Sequence, residues 1–178
     1  METEEEFLKQ YNADKYPKPS VTADICIFAE DNGRLELLLV KRGGHPFLGC
    51  WATPGGFANA NEPLEQTAAR ELEEETGISG IPLRHVNVYS KPGRDPRGWT
   101  ISSAYTALVR KSQVDPKAGD DAAAVSWFCV KFTRLKSGIL DKITLKNGEQ
   151  TLHVLPDTGD LAFDHAEIIR DALQNILQ

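Results

Sequence analysis

The chain contains very little cysteine. Its three cysteines stand far apart at Cys26, Cys50 and Cys129, and no pair has the spacing of a CxxC metal or redox motif. The four histidines are equally scattered, so the sequence offers no zinc-ligand pattern. We therefore expect free, buried thiols, which are typical of proteins in a reducing compartment such as the cytoplasm.

Long hydrophobic runs are absent as well. The sequence has no stretch of about 18 apolar residues, the length that a membrane-spanning helix needs. The N-terminal sequence METEEEFLKQY is acidic and lacks both the basic and the apolar region of a secretory signal. These absences predict a soluble, cytoplasmic protein with no membrane partner.

Basic residues are also fewer than acidic residues. Lysine and arginine together number 20, against 26 aspartates and glutamates, which gives a net charge of −6. Nonspecific binding to nucleic acid depends on cations that neutralise phosphates, so a nucleic-acid partner is not expected. A modest basic cluster within residues 131–146 is interpreted as solvated surface.

The chain has the length of one domain with one hydrophobic core. Residues 1–20 form a polar leader, expected to be extended or exposed, and residues 21–178 form the domain. Periodicity and turn signals predict strands at residues 21–30, 35–42, 82–91, 100–110 and 124–130, and Asn-Gly hairpins at Asn32 and Asn147. Helices are predicted at residues 63–76 and 164–177, the second opening with a capping-box-like Asp164 and Glu167. This pattern indicates the α/β or α+β class, with a mixed sheet between helices.

Seven residues between positions 56 and 78 stand in one fixed frame. The frame is a glycine, five residues, a glutamate, seven residues, then Arg-Glu-hydrophobic-any-Glu-Glu-any-Gly and a hydrophobic residue. Its members are Gly56, Glu62, Arg70, Glu71, Glu74, Glu75 and Gly77, with Leu72 and Ile78 in the hydrophobic positions. With each fixed letter at roughly 6 to 7% of an average composition, the odds of finding all seven by chance are about one in a million.

The segment also has the marks of a helix. Pro63 suits the first turn, and Gly77 suits the position just past the last turn. Ala69 and Leu72 are predicted to point towards the core.

The last three acids of the frame, Glu71, Glu74 and Glu75, share one face of that helix. Like charges at these spacings repel, so a cation is expected among them, and hard divalent ions such as Mg²⁺ prefer all-oxygen ligand sets. Taken alone, the glutamate run also fits a solvated helix face. That alternative gives no reason for Gly56, Glu62 and Arg70 to stand at fixed offsets.

The frame resembles the Nudix box of the Nudix hydrolase superfamily and departs from it at no position. The segments at residues 41–57, 93–105, 119–128 and 161–173 are similar to an ADP-ribose pyrophosphatase-like branch, so the resemblance covers residues 18–178. One departure is Thr53, where leucine is typical of that branch. The resemblance implies an α/β/α sandwich with a mixed β-sheet, and a homodimer in which residues before Val21 contact the partner.

The resemblance also implies the residues of the site. A metal site for Mg²⁺, with Mn²⁺ as the alternative, would be formed by Gly56, Glu71, Glu74 and Glu75. The expected catalytic residues are Arg70, Glu71, Glu74 and Asp121. The base that accepts the proton of water is either Glu71 or an acid outside the box, such as Asp120 or Asp121, which are otherwise plain loop acids.

The substrate-binding residues implied by the resemblance are Arg42, Phe47, Gly55, Phe57, Arg94 and Arg97. Arg94 and Arg97 are candidate phosphate or ribose contacts because a guanidinium matches a diphosphate. By composition alone, their loop is an ordinary connector. The aromatic residues Phe47, Trp51 and Phe57 are expected in the core or the pocket wall, where one of them can stack on adenine.

The implied function is Mg²⁺-dependent hydrolysis of a nucleoside diphosphate linked to another moiety, in particular ADP-ribose to AMP and ribose 5-phosphate. The box does not choose among ADP-ribose, NADH, dinucleoside polyphosphates, sugar nucleotides and oxidised nucleoside triphosphates. Two alternatives are a non-catalytic ADP-ribose-sensing regulator and a protein-interaction module. The intact glutamate set favours an enzyme, and residues 129–178 are expected to complete the core rather than to form a DNA-binding module.

Overall fold

The structure is a computed structural model that describes residues 2–119, 122–156 and 158–178. Its helices are α1 (Glu4–Gln10), α2 (Leu64–Thr76) and α3 (His165–Ile176), and a 3₁₀ turn spans Lys111–Gln113. Its strands are β1 (Ser20–Asp31), β2 (Arg34–Arg42), β3 (Trp51–Ala52), β4 (Gly55–Phe57), β5 (Arg84–Tyr89), β6 (Thr100–Arg110), β7 (Ala122–Arg134), β8 (Leu140–Asn147) and β9 (Gln150–His153).

Within the described residues, all strands belong to one mixed sheet in the order β5-β6-β1-β2-β7-β8-β9. β1 and β6 are parallel, whereas the other neighbours in this order are antiparallel. The short strand β3 pairs with the end of β2, and the short strand β4 pairs with the start of β1. The β1–β4 pairing places Gly55 and Gly56 directly beside Asp24 and Ala23.

The two longer helices cover opposite faces of the sheet. Successive side chains of a strand point to opposite faces, so Ile25 packs towards α2 while Phe28 packs towards α3. Leu72 of α2 belongs to the first core, and Ile169 of α3 to the second. This confirms the predicted α/β/α sandwich with a mixed sheet.

Several local predictions need correction. Ala69 of α2 is exposed, and the buried residues of this helix include Ala68 and Leu72. The helix begins at Leu64 with Pro63 as its N-cap, and it ends as predicted, with Gly77 in the left-handed conformation at φ 70°. β7 is longer than predicted because its second half pairs with β8, a long-range partner that the local pattern does not reveal.

The leader contains one short helix, α1, which residue patterns did not predict. Thr3 and Glu6 form a capping box at its start, and every residue of the helix is exposed. None of the helices in the described parts of the chain is long and apolar enough to cross a membrane. The three cysteines are free, with Cys26 buried and the other two half-buried.

Candidate active site

A cleft of about 700 Å³ opens beside the β1–β4 pair. Its walls come from β1, β2, β4, α2, the loop between β5 and β6, and the segment that leads into α3. Ten of the predicted site residues line it: Arg42, Gly55, Gly56, Phe57, Arg70, Glu71, Glu74, Glu75, Arg94 and Arg97. Folding therefore brings together predicted residues that lie up to 55 positions apart in the sequence, from Arg42 to Arg97.

Arg70 is the centre of an ion-pair network on α2. Its guanidinium donates to Glu62 at 2.9 Å, to Glu71 at 2.7 Å and to Glu74 at 2.9 Å. It also donates to the carbonyl of Phe57 at 3.0 Å, which ties β4 to the helix. The hydrogen bonds from Arg70 lower the pKa of Glu62 to about 2. Arg70 thus orients Glu62, Glu71 and Glu74, and Glu62 is charged at neutral pH.

Glu71 lies directly against Gly56. A side-chain carbon at position 56 would overlap with both carboxylate oxygens of Glu71, so a larger residue there would displace the Glu71 carboxylate. Burial raises the pKa of Glu71 above its ordinary value, and the nearby charges of Glu74 and Glu62 add to this effect. The contact fixes where the Glu71 carboxylate stands relative to the backbone of β4.

Glu75 is the most deeply placed acid of the box. Its Oε2 accepts a hydrogen bond of 3.0 Å from the backbone N–H of Gly55. Burial raises its pKa to about 7, with further contributions from the charges of Glu71 and Asp24. Buried carboxylates that repel each other are a common feature of sites that bind cations.

The donor set fits a hard divalent cation. Glu71 and Glu75 are acids of raised pKa, the charge of Glu71 contributes to the raised pKa of Glu75, and Glu74 stands on the same helix. Within the described ranges, no three His, Cys, Asp or Glu side chains are already gathered at metal-binding distance. Arg70 holds oxygens of Glu71 and Glu74, so metal binding requires these side chains to adjust.

The floor of the cleft is a buried charge network that the sequence analysis missed. Nε and Nη2 of Arg94 donate to the two carboxylate oxygens of Asp164 at 2.8 and 2.6 Å. The same Nη2 lies 3.7 Å from Asp24, which also accepts a hydrogen bond from the hydroxyl of Ser102. Asp164 is therefore an acceptor for Arg94 and makes no capping hydrogen bond to α3, so the predicted capping box is wrong. The available signal was Asp24 itself, an acid within the apolar run of β1.

His165 completes this floor. Its Nδ1 accepts the backbone N–H of Thr53 at 3.0 Å, and the Thr53 hydroxyl lies at the same distance. Because Nδ1 is an acceptor, a neutral His165 carries its proton on Nε2, which faces Asp24 at 3.6 Å. Burial lowers the pKa of His165 below its ordinary value. Thr53, which stands where leucine is typical of the branch, thus has a hydrogen-bonding partner in His165.

The mouth of the cleft alternates aromatic rings and guanidinium groups. The guanidinium of Arg97 lies 4.7 Å from the ring centre of Phe57 and 5.3 Å from that of Phe163, and Arg42 lies 5.0 Å from Phe163. Phe47 does not line the cleft itself but packs on Phe163 with ring centres 4.7 Å apart. Both rings come from residues in the left-handed region, with φ 60° and 51°, a conformation that is rare for bulky side chains and found at functional sites.

The loop between β5 and β6 does not present its two arginines equally. Arg97 is half-exposed and is held by Asp95 through Nε and Nη2, whereas Arg94 is buried on the floor.

Phe163 was missed by the sequence analysis because a phenylalanine before a helix resembles a core residue. Trp51 is a core residue that packs edge-on against Phe128. Asp120 and Asp121 lie outside the described residues, although the adjoining Ala122 and Ala123 line the cleft.

Comparisons with known proteins agree with this site. The sequence pattern of the NUDIX domain matches residues 18–142, which is more than half of the chain. The chain therefore belongs to the Nudix family.

Individual relatives are similar over almost the whole chain. The ADP-ribose pyrophosphatase of Methanocaldococcus jannaschii is 36% identical over 167 residues, 94% of this chain and 79% of that protein. The ADPR responsive transcriptional repressor NtrR of Acinetobacter baylyi is 32% identical over 176 residues. The matched region is 98% of this chain but only 61% of that relative. The Nudix domain of Shewanella oneidensis NrtR, solved in complex with ADP-ribose, has a TM-score of 0.75 and 29% identity, covering 98% of this chain and 99% of that one.

Proposed function

We propose that this chain is a Nudix pyrophosphohydrolase that hydrolyses ADP-ribose to AMP and ribose 5-phosphate. The observation that carries the proposal is the composition of one cleft, which joins the carboxylates of Glu71, Glu74 and Glu75 to the guanidinium groups of Arg42 and Arg97. The carboxylates suit a divalent cation, and the guanidinium groups suit a diphosphate. A substrate with a diphosphate between two nucleoside or sugar moieties uses both halves of the cleft.

The arginines supply the binding site for the phosphates. Burial lowers the pKa of Arg42 below its ordinary value, and the neighbouring charge of Arg97 adds to this effect, so the two cations repel each other across the cleft. An anion between them removes this repulsion. Arg94, held by Asp164 on the floor, adds positive charge to the same cleft and keeps the loop of Arg97 in place.

The aromatic rings at the mouth supply a surface for the base. Phe57 and Phe163 flank Arg97, and Phe47 supports Phe163 from outside. A planar adenine ring stacks on such a surface at little entropic cost because phenylalanine has few rotatable bonds. Gly55, which has φ 155° and packs onto Asp24, allows the backbone of β4 to approach the phosphates closely.

The residues that would hold the metal are Glu71, Glu74 and Glu75, with the backbone of Gly56 beside them. When bound, Mg²⁺, or Mn²⁺ in its place, supplies positive charge that polarises the phosphorus and lowers the pKa of water. Arg70 keeps Glu71 and Glu74 oriented, and the backbone N–H of Gly55 orients Glu75. Water forms a bond to one phosphorus while the bridging P–O bond breaks, and the proton of the water passes to a carboxylate, either Glu71 or an acid at position 120 or 121.

Two relatives support ADP-ribose as the substrate. The relative from M. jannaschii is named an ADP-ribose pyrophosphatase, and the NrtR Nudix domain was solved with ADP-ribose bound. A second function, an ADP-ribose-sensing domain without turnover, is favoured by the similarity to the NtrR repressor over 98% of the chain. We prefer the enzyme because all glutamates of the box are present and held in place, Glu62, Glu71 and Glu74 by Arg70 and Glu75 by the backbone N–H of Gly55.

We further propose that residues 21–178 act as one Nudix domain and that the protein is a cytoplasmic homodimer. Free cysteines fit a reducing compartment. We propose a small nucleoside diphosphate as the partner because it suits the cleft. Neither a membrane nor a nucleic acid is proposed as a partner.

The decisive experiment incubates the purified chain with Mg²⁺ and, separately, ADP-ribose, NADH, diadenosine polyphosphates and 8-oxo-dGTP. Chromatography should show AMP and ribose 5-phosphate in equal amounts from ADP-ribose, at the highest kcat/KM of the panel. The matched control is Glu75→Gln, which should be inactive yet folded. An inert ADP-ribose that nevertheless binds, measured by calorimetry, would support the sensing domain instead.

A further inference from the structure

The β3–β4 connection, from Thr53 to Gly55, is held by three different elements. The backbone N–H of Thr53 donates to Nδ1 of His165, the first residue of α3, at 3.0 Å. The carbonyl of Pro54 accepts a backbone N–H from β1 at 2.8 Å. The N–H of Gly55 donates to Oε2 of Glu75 in α2 at 3.0 Å. This connection therefore joins α3, on one face of the sheet, to the glutamates of the box on the other face.

The bond between Thr53 and His165 controls the position of Gly55. Thr53 is only 2% exposed, so water does not readily replace Nδ1 as the partner of its N–H. An unpaired buried N–H is costly, and loss of the acceptor should therefore shift the connection until the N–H finds another partner. Gly55 lies only two residues further on. The same shift moves the N–H of Gly55 relative to the carboxylate of Glu75.

The imidazole of His165 is itself held in place. The N–H of Ala162 donates to a carbonyl of β3 at 2.8 Å, which fixes the segment that leads into α3. Asp164 accepts two hydrogen bonds from Arg94, and Nε2 of His165 lies 3.6 Å from Asp24. His165 is therefore a fixed acceptor against which the β3–β4 connection is positioned.

We propose that His165 is a positioning residue for the metal site: its Nδ1 holds the β3–β4 connection so that the N–H of Gly55 directs the carboxylate of Glu75 into the cleft. His165 touches neither the metal nor the substrate in this role. The inference rests on the proposed function and names a residue outside the Nudix box on which that site depends. Hydrogen-bonded supports behind metal ligands typically change metal affinity about 10- to 100-fold.

Two substitutions separate the two ring nitrogens of His165. The amide oxygen of asparagine takes the place of Nδ1, whereas the amide nitrogen of glutamine takes the place of Nε2 and leaves no acceptor at the position of Nδ1. His165→Gln should raise the dissociation constant for Mn²⁺, measured by electron paramagnetic resonance of the free ion, about tenfold. His165→Asn should retain most of the wild-type affinity.

Ile169→Val tests whether any loss of packing under α3 has the same effect. Ile169 is buried in the core on the α3 face, so this variant loosens the helix without removing the Nδ1 acceptor. Its affinity for Mn²⁺ should equal that of the wild type. Hydrolysis of ADP-ribose by His165→Gln should recover as the Mg²⁺ concentration is raised, because the defect lies in metal binding.

Hydrogen exchange in the wild-type protein tests the same coupling without any variant, and it decides the matter if His165→Gln does not fold. Coupling between two equilibria is reciprocal: if the bond to His165 favours metal binding, the metal favours that bond by the same factor. Exchange of the Thr53 amide should therefore slow as Mg²⁺ is added and level off at about tenfold. Exchange of this amide that does not respond to Mg²⁺ would overturn the inference.

The outcomes distinguish this inference from the proposed function. Wild-type protein that binds no Mn²⁺ would overturn both. Wild-type protein that binds Mn²⁺ but hydrolyses no ADP-ribose would overturn the proposed function, while weaker binding by His165→Gln alone would still support the role of His165. Equal affinities of His165→Gln and wild type, or equal losses in the glutamine, asparagine and Ile169→Val variants, would overturn the positioning role.

Discussion

The backbone N–H of Gly55 donates a hydrogen bond of 3.0 Å to Oε2 of Glu75 and so joins β4 to α2 across the cleft. Gly55 is itself packed tightly onto Asp24 of β1, so three elements meet at this point. The bond gives the deepest carboxylate of the box one fixed direction. Its raised pKa, about 7, reflects the burial that this position imposes. The cleft is therefore organised by backbone contacts as much as by its charged side chains.

The first prediction separates catalysis from stability within α2. Glu74→Gln and Glu75→Gln should each lower kcat by several orders of magnitude while the fold is retained, because they remove negative charge from the cleft and leave the core intact. Leu72→Ala, in the buried face of the same helix, should lower the free energy of unfolding by about 2 to 5 kcal/mol. Steady-state kinetics and denaturant unfolding measure the two effects. Near-normal hydrolysis by both glutamine variants would refute the proposed metal site.

The second prediction concerns Gly56. Gly56→Ala should displace the Glu71 carboxylate, since the added methyl group would overlap with its oxygens. We expect a large loss of kcat and a weaker response to Mg²⁺. The matched control is Gly44→Ala, which also lines the cleft but has open space around its Cα. Equal activity of the two variants would show that the position of Glu71 does not matter for hydrolysis.

The third prediction distinguishes the two arginines of the β5–β6 loop. Arg97→Lys keeps the charge beside Asp95 but loses the planar group between Phe57 and Phe163, so kcat/KM for ADP-ribose should fall about tenfold, with unfolding unchanged. Arg94→Lys loses the bidentate bonds to Asp164 inside the protein and should lower the free energy of unfolding by about 1 to 3 kcal/mol. A marked loss of stability in Arg97→Lys, with none in Arg94→Lys, would reverse these roles.

The fourth prediction is a pH dependence of stability that originates at His165. Burial lowers its pKa below the ordinary value of 6.5, and the charges of Arg94 and Arg42 act in the same direction, whereas Asp24 and Asp164 oppose them. As the pH falls through 6.5, His165 binds a proton in the unfolded chain but stays neutral in the folded protein, where its pKa is lower. At this residue the unfolded state then holds more protons, so the contribution of His165 to the free energy of unfolding should decrease as the pH falls and stay level above about pH 7.5. The raised pKa of Glu75 contributes with the opposite sign, so the effect of His165 is read from the difference between wild type and a His165 variant.

The measurement for His165 is urea unfolding from about pH 5.5 to 8, compared with His165→Asn. Asparagine retains an acceptor for the N–H of Thr53 but does not titrate, so the difference between wild type and variant should change with pH below 6.5. His45→Asn, at an exposed position, serves as the control. A difference between wild type and His165→Asn that is constant over this range would contradict the buried neutral state of His165.

Much of the fold could be predicted because its signals are local. The end of α2 at Gly77, the turns at Asn32 and Asn147 and the apolar strands depend on neighbouring residues, and all appear in the structure. The failures involve partners distant in sequence. Asp164 resembles a helix cap, but Arg94 lies 70 residues away and offers charge-assisted bonds that a backbone N–H does not match. The extension of β7 likewise depends on β8.

The sequence by itself determined the family, the helix that carries the glutamates and the residue types of the cleft, because the spacing of the box and the helical repeat are properties of adjacent residues. Only the tertiary structure decided which of these groups meet. It placed Arg94 on the floor and Arg97 at the mouth, although both belong to one short loop, and it brought Asp24, Phe163 and His165 into the cleft. The physical reason is burial: a charge or a ring acquires its role from partners and solvent exclusion, and these arise only when distant segments pack together.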